Sequence, residues 1–369
     1  MFAAIVALVC ANSPLAEAFG SVWSSKLTLS YGSEFNLSKP LILWINDGLM
    51  AVFFLLVGLE IKREISTGEL NTAAKAVLPA AAAIGGMLVP AMIYAGWNIG
   101  QASIRGWGVP MATDIAFSLG ILALVGSKVP IGLKVFLTAV AIVDDLGAVA
   151  VIAAFYTDGV QWASLAASLI AWTVAMIFGR LGGRSTVVFA LLGIVTWYFM
   201  LKSGVHATIA GVLLAFAIPG RKLPHESRPM TESWEHGLHP WVAFLIVPIF
   251  ALANAGVALG SDAASLALSP VALGITSGLL VGKLLGVAGF SWLAVRVGWA
   301  DLPRGCRWPD IFGVALLTGV GFTMSLFIAE LAFATPADIS AAKIGILMAS
   351  ALAGIAGFLT LKNSTKGSQ

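Results

Sequence analysis

The stretch Leu137-Thr-Ala-Val-Ala-Ile-Val-Asp144-Asp145-Leu-Gly-Ala-Val-Ala-Val151 decides how this chain is read. Two adjacent carboxylates stand in the middle of an apolar run over residues 134–156, and about 20 apolar residues suffice to cross a membrane as a helix. At a rise of about 1.5 Å per residue the pair lies about 15 Å from either face. One charge at the centre of a spanning helix costs about 2.5–3.5 kcal/mol on insertion scales, and two cost about twice that. A single Asn or Ser would join helices far more cheaply, so the pair points to chemistry rather than packing.

The composition agrees with a membrane setting. Of 369 residues, 59% are hydrophobic and 11% charged, against roughly 25% charged in soluble domains. Too much apolar surface is present for a water-soluble globular enzyme. A net charge of +3 is too small a surplus for a nucleic-acid binder. Cys10 and Cys306, the two cysteines, give no framework for disulfides or a metal. The 40 glycines and 15 prolines are tolerated in membrane helices when neighbours satisfy the freed backbone groups.

The hydropathy pattern predicts an all-α polytopic membrane protein with about twelve spans: 1–11, 41–61, 76–96, 107–126, 134–156, 160–178, 185–201, 204–219, 239–259, 271–297, 309–332 and 338–361. They form one integral-membrane transporter domain over residues 1–369, ending in a tail at 362–369. The first span is short and lacks a basic flank. It reads as a truncated or wrongly started helix rather than a signal peptide, although Ala16-Glu17-Ala18 resembles a cleavage site. With the spans alternating, Lys62, Arg63, Lys75, Lys128, Lys134, Arg180, Arg184, Arg221, Lys222, Arg228, Arg296, Arg304, Arg307, Lys362 and Lys366 fall on one side. Lys26, Lys39, Arg105 and Lys202 fall on the other, and the richer side is cytoplasmic by the positive-inside rule. Both termini are then expected in the cytoplasm.

Two loops stand out. Residues 12–40 form an outer loop in which Lys26–Glu34 alternates around Gly32-Ser33, the pattern of a β-hairpin. Residues 220–238 form a cytoplasmic loop holding Arg221, Lys222, His225, Glu226, Arg228, Glu232, Glu235 and His236. That loop is either a solvated surface or a pH-responsive element, because histidine titrates near neutrality.

Other charges lie within the apolar runs: Asp114 and Lys283 deep in them, and Glu60, Glu330 and Lys343 nearer the ends. Around Ala112-Thr113-Asp114-Ile-Ala-Phe-Ser118 the run is interrupted by Gly106, Gly108 and Pro110. This suggests a broken helix with opposed half-termini, where Asp114 neutralises N-terminal ends, either in that role alone or as a further cation- and proton-binding residue, and Thr113 offers an oxygen to an ion. Gly319-Val-Gly321-Phe-Thr323-Met-Ser325 echoes it near the other end of the chain. Two interrupted spans, the fourth and the eleventh, point to inverted-topology repeats with a midplane site. Lys283 needs a partner, and a carboxylate of the Asp144–Asp145 pair is the obvious one. His206 reads as a structural hydrogen-bonding residue.

Hard cations need several oxygen ligands, and two carboxylates, a threonine hydroxyl and carbonyls freed by broken helices supply them. Burial and like charge favour the protonated carboxyl, so the same oxygens take either protons or a small cation. No nucleotide-binding signature of the form G-x-x-x-x-G-K-[ST] occurs. Competition at one alternately exposed site therefore suffices for an antiporter that is not an enzyme and needs no cofactor.

Several segments resemble the NhaA family of bacterial sodium/proton antiporters: Trp44-Ile-Asn-Asp47 through Glu60-Ile-Lys-Arg-Glu64, Ala112-Thr-Asp114-Ile-Ala-Phe-Ser, Ala141-Ile-Val-Asp-Asp145-Leu-Gly-Ala, Lys202-Ser-Gly-Val-His-Ala-Thr208, Leu238-His-Pro-Trp241 and Gly321-Phe-Thr-Met-Ser325. The resemblance runs from about residue 41 to 361. It implies an inner-membrane exchanger that expels Na⁺ or Li⁺ against entering protons, electrogenically and under pH control, so sustaining intracellular pH and sodium balance. Asp145 would be the central cation and proton ligand, with Asp144 linked to Lys283 and Na⁺ or Li⁺ held at Asp145, Asp144 and Thr113. Thr113 and Asp114 match the crossing of the two interrupted spans. Glu60, His225, Glu235 and His236 fall where the family places its pH response, and the outer hairpin matches an element used for homodimerisation.

Three other readings compete. A sodium-coupled organic-anion symporter needs donors for the solute that the sequence does not offer. An intramembrane aspartyl protease needs facing aspartates on two helices, whereas Asp144 and Asp145 lie about 100° apart on one. A passive channel lacks the buried Asp–Lys arrangement.

Overall fold

The computed structural model describes residues 2–366 except 32–34, 69, 127–128, 158, 225 and 261. Its elements, in chain order, are α1 (Phe2–Ala11), α2 (Ala16–Ser24), β1 (Lys26–Tyr31), β2 (Phe35–Pro40), α3 (Leu41–Ser66), α4 (Ala73–Trp97) and a 3₁₀ segment (Ala102–Met111). There follow α5 (Ile115–Val125), α6 (Ile131–Phe155), α7 (Trp162–Arg180), α8 (Thr186–Ser203), α9 (Ile209–Ala217) and α10 (Met230–Asn254). The last are α11 (Ala263–Ala267), α12 (Pro270–Arg296), α13 (Trp308–Leu317), α14 (Phe322–Ala332) and α15 (Pro336–Lys366). Single turns of π-helix interrupt α3 at Ile45–Leu49, α10 at Val242–Ile246 and α12 at Gly278–Gly282.

Every predicted span contains helix, and the lengths and continuity differ from the expectation in informative ways. Among the described residues eight helices are long and apolar enough to cross a membrane, or up to 11 with three bent pairs counted as single spans. The first expected span is one of those pairs, α1 with α2 at 113°, so a helix occupies part of the expected outer loop. The eighth, expected over 204–219, is only α9. Gly204 at φ +83° ends α8 in a left-handed turn, and α9 starts only at Ile209. The stretch 220–238 is a loop only in its first part. Helix α10 begins at Met230, and Met230, Trp234 and Leu238 recur every four residues to cover one core. The hairpin is present, with Lys26 opposite Pro40 and Tyr31 opposite Phe35; its predicted turn at Gly32-Ser33 lies outside the described residues.

The chain divides into two compact units, residues 1–63 with 152–258 and residues 64–151 with 259–369. In the first, Leu55, Leu59, Phe189, Leu214 and Ile218 form the core. Gly211 lets α9 lie directly on α3, since a Cβ there would stand 2.1 Å from the Ala51 carbonyl oxygen. Asn46 and Asn254 exchange two amide hydrogen bonds inside this unit, at 3.2 and 2.9 Å. In the second unit Leu133, Phe136, Leu137 and Val140 of α6 pack with Val287, Ile311, Val314 and Leu317. Helices α4 and α12 touch at their backbones, because a Cβ on Gly286 would meet the Gly85 carbonyl oxygen at 2.1 Å. Small residues at such contacts are how membrane helices gain dispersion energy where no hydrophobic drive separates helix from lipid.

Both interrupted spans belong to the second unit. The 3₁₀ segment and α5 meet at a 41° bend, and α13 and α14 at 45°. Between them run Ala112-Thr113-Asp114 and Thr318-Gly319-Val320-Gly321, outside any helix. Irregular backbone inside a membrane is tolerated only where protein or a cavity surrounds it. Ala112, Thr113, Asp114, Thr318 and Val320 are all buried.

Candidate cation site

Four helix termini converge at the two breaks, so both positive and negative partial charges are concentrated there. Asp114 handles the positive ones. As the N-cap of α5 it accepts from the Phe117 N–H at 3.1 Å through Oδ1. Its Oδ2 accepts from the Thr323 N–H at 3.0 Å and from the Thr323 hydroxyl, in the first turn of α14. One carboxylate thereby serves two helix N-termini, and Ser350 Oγ takes the Phe322 N–H at 3.2 Å. The Asp114 N–H itself donates to the Val320 carbonyl at 2.7 Å, which pins one break to the other.

Asp144 and Asp145 lie near the middle of α6, 1% and 2% exposed. Lys283, fully buried, brings its Nζ to 2.5 Å from Asp144 Oδ2. The π-turn at Gly278–Gly282 ends at this lysine. On α4, Gly86 leaves room for Val287, whose Cγ2 a Cβ there would approach to 2.8 Å, and lies beside the Lys283 side chain. Thr113 Oγ1 is 2.7 Å from the same Asp144 oxygen and 2.9 Å from the Thr318 carbonyl. A hydroxyl has one proton, so Thr113 donates to one of them at a time and keeps lone pairs for a third group. Asp144 Oδ1 is buried and accepts no hydrogen bond among the described residues, which in a native interior asks for an explanation.

The structure thus unites Thr113, Asp144 and Lys283 directly. Asp114 sits beside them with its oxygens directed to helix ends. Asp145 is the next residue along α6, about 100° round the helix from Asp144. Thr318, Thr323 and Ser350 joined the site without being singled out for it in the sequence as partners. The hydroxyl-bearing echo over 319–325 contains Thr323; nothing in the sequence marked Thr318 or Ser350.

The residues expected to respond to pH lie in the other unit. Arg63 donates to Glu235 at 2.7 Å, joining α3 to α10, and Glu60 is almost one turn before Arg63 on α3. His236 Nδ1 stands 2.8 Å from the Glu232 carbonyl of its own helix. His225 lies outside the described residues. Lys62 closes the C-terminal end of α9 by donating to the carbonyls of Phe216 at 2.8 Å, Ala215 at 3.3 Å and Ile218. His206 Nε2 is 2.5 Å from the Tyr156 carbonyl, so that nitrogen carries the ring proton. Lys343 and Glu330 pair with each other at 2.9 Å.

Comparison with known proteins points the same way. Residues 1–361 match the family model described as Na⁺/H⁺ antiporter 1. The chain is 54% identical over 376 residues to the protein named Na(+)/H(+) antiporter NhaA of Rhodospirillum rubrum, covering 99% of this chain and 93% of that one. It is 51% identical over 362 residues to Na(+)/H(+) antiporter NhaA 2 of Erythrobacter litoralis, with 98% and 89% covered. With the NhaA of Bordetella parapertussis it shares 51% over 368 residues, covering 98% and 92%.

Proposed function

The chain belongs to the Na⁺/H⁺ antiporter 1 family, and on that premise we propose that it exchanges cytoplasmic Na⁺ or Li⁺ for external protons by alternating access at Asp144, Asp145 and Thr113. The observation that carries this reading is the buried Asp144–Lys283 pair with Thr113 donating into it. A cation entering beside Asp145 finds in Asp144 a carboxylate whose second oxygen accepts no hydrogen bond among the described residues. Binding there competes with the Lys283 ammonium for Asp144 and with a proton for Asp145.

The competition gives antiport its coupling. Carboxylate oxygens that hold a proton cannot hold Na⁺, so a site facing either side leaves loaded with one or the other. Asp145 is one proton carrier and the Asp144–Lys283 pair is the second. Two protons returning for each monovalent cation make the exchange electrogenic, so a membrane potential drives it. Asp114 fixes the helix ends without giving up its oxygens to the ion, and the reaction needs no cofactor.

The finer setting follows the same line. The protein works in the bacterial inner membrane with both termini in the cytoplasm, an orientation that the excess of Lys and Arg on one side of the expected spans supports. It pairs with a second copy through the β1–β2 hairpin. A two-stranded sheet standing alone is marginal in water, and its unpaired edges are templates for another strand. The cytoplasmic pH response resides in Glu60, Glu235, His236 and His225, with the Arg63–Glu235 bridge as the contact that protonation of Glu235 would open.

Everted vesicles carrying an imposed proton gradient test the central claim. Adding Na⁺ or Li⁺ across a range of pH should collapse the gradient; no collapse in a well-inserted preparation overturns the reading.

A further inference from the structure

Two serines near the breaks use their hydroxyls in an unusual direction. A serine or threonine inside a helix commonly bonds back to the carbonyl four residues earlier, as Thr173, Thr196, Ser277 and Thr360 do here. Ser118, one turn into α5, instead donates to the carbonyl of Leu317, the last residue of α13, at 2.8 Å. Ser325, in the first turn of α14, donates to the carbonyl of Val109, near the end of the 3₁₀ segment, also at 2.8 Å. The second half of each interrupted span thus holds the end of the first half of the other. All four residues are fully buried.

Such an end has particular needs. The last carbonyls of a helix have no intrahelical donor, and in hydrocarbon no water replaces one. Ser325 supplies that donor to Val109, and Ser118 adds a second one to Leu317, whose carbonyl also takes the Val320 N–H at 3.0 Å. In doing so they fix where the non-helical residues 112–114 and 318–321 begin, and hence where Thr113 and the Thr318 carbonyl stand relative to Asp144. The arrangement is reciprocal, so each hydrogen bond helps hold the geometry that the other needs.

We propose that Ser118 and Ser325 are paired positioning residues for cation binding, each clasping the carbonyl end of the opposing interrupted span. The inference rests on reading the breaks as the cation site. It assigns neither serine to the ion itself. Loosening a clasp lets the carbonyls at the breaks turn, which weakens a site of fixed oxygens for small cations while Asp144, Asp145 and Lys283 keep their proton chemistry.

Antiport in everted vesicles provides the test, with Na⁺ and Li⁺ titrated against the parent, Ser118→Ala, Ser325→Ala, the double variant and Ser325→Thr. Each single alanine variant should raise half-saturating Na⁺ about five- to tenfold, with the maximal rate within about twofold. The double variant should rise by clearly less than the product of the two, because opening one clasp already frees the crossing. Ser325→Thr keeps the hydroxyl and should recover at least half of the loss. An active parent whose alanine variants keep half-saturation within about twofold overturns the clasp alone, as does a double variant equal to the product. A silent parent overturns the antiporter reading instead. Ser118→Cys and Ser325→Cys, nearly isosteric and poor donors, should behave as the alanine variants do and replace them should either alanine protein insert poorly.

Discussion

The ammonium of Lys283 and the carboxylate of Asp144 meet at 2.5 Å with no solvent exposure on either side chain. Removing one member of a buried pair leaves the other charged group without compensation, at a cost of about 3–5 kcal/mol, whereas removing both is often near neutral. Lys283→Ala should therefore lower thermal stability in detergent markedly, and adding Asp144→Asn should restore most of it. Thermal unfolding of the purified variants measures this. Equal melting of parent and Lys283→Ala would show that the pair contributes nothing to the fold.

Asp145 makes a different prediction. If it is the cation and proton ligand, Asp145→Asn removes charge at nearly constant volume. Exchange should vanish in vesicles while the melting temperature stays near that of the parent. Near-normal exchange by a folded Asp145→Asn protein would remove the central claim.

Asp114 answers to helix ends rather than to the ion. In Asp114→Ala the donors of Phe117 N–H, Thr323 N–H and the Thr323 hydroxyl lose their acceptor. Each such buried orphan costs about 1–3 kcal/mol, so the variant should be destabilised by at least about 3 kcal/mol. Asp114→Asn keeps one acceptor oxygen and should fall between the two in a denaturation series. Equal stability of Asn and Ala variants would mean that the carboxylate's contacts with α14 are dispensable.

How much of this was legible beforehand differs from residue to residue. The depth of Asp144 and Asp145 and the need of Lys283 for a carboxylate followed from the cost of charge in hydrocarbon, a local property of the sequence. Which aspartate takes the lysine did not follow from that cost, since it depends on the rotation of α6 against α12; only the family resemblance pointed to Asp144. The breaks were marked by Gly106, Gly108, Pro110, Gly319 and Gly321. Yet the bonds from Ser118 and Ser325 span 199 and 216 residues, and no pattern within either segment reveals them. The start of α10 was hidden by charge: Glu232, Glu235 and His236 lie among the apolar positions that repeat every four residues. Span lengths also misled at α9, where hydropathy continued beyond a helix only nine residues long.

Outside the spans, Cys306 gives a pH prediction. Burial, and after it the neighbouring Asp310 carboxylate, pushes this thiol up to about 11. A raised thiol pKa means less thiolate, and only the thiolate reacts. At pH 8 roughly one molecule in a thousand would be reactive, three decades below full ionisation. Maleimide labelling at Cys306, followed by mass spectrometry with Cys10 replaced by serine, should be slow at neutral pH. The rate should climb about tenfold per unit up to pH 10. A plateau below pH 9 would contradict the half-buried, acid-flanked setting.

The backbone contact between α4 and α12 links packing to the site. Gly286 is one turn beyond Lys283, and its Cβ would strike the Gly85 carbonyl oxygen and carbon at 2.1 and 2.5 Å. Neither is a movable side-chain tip, so any side chain at 286 must push the helices apart. Overpacking of this kind costs about 1–3 kcal/mol or more. Displacement of α12 also carries the Lys283 ammonium away from Asp144. Gly286→Val should therefore lose both stability and exchange. Gly289→Val, one turn on, where no atom lies within 4 Å of an added Cβ, should retain both. Vesicle antiport and melting of the two variants side by side decide the matter: equal loss in both would trace the effect to valine itself, and loss at 286 alone to the helix contact that sets the lysine's position.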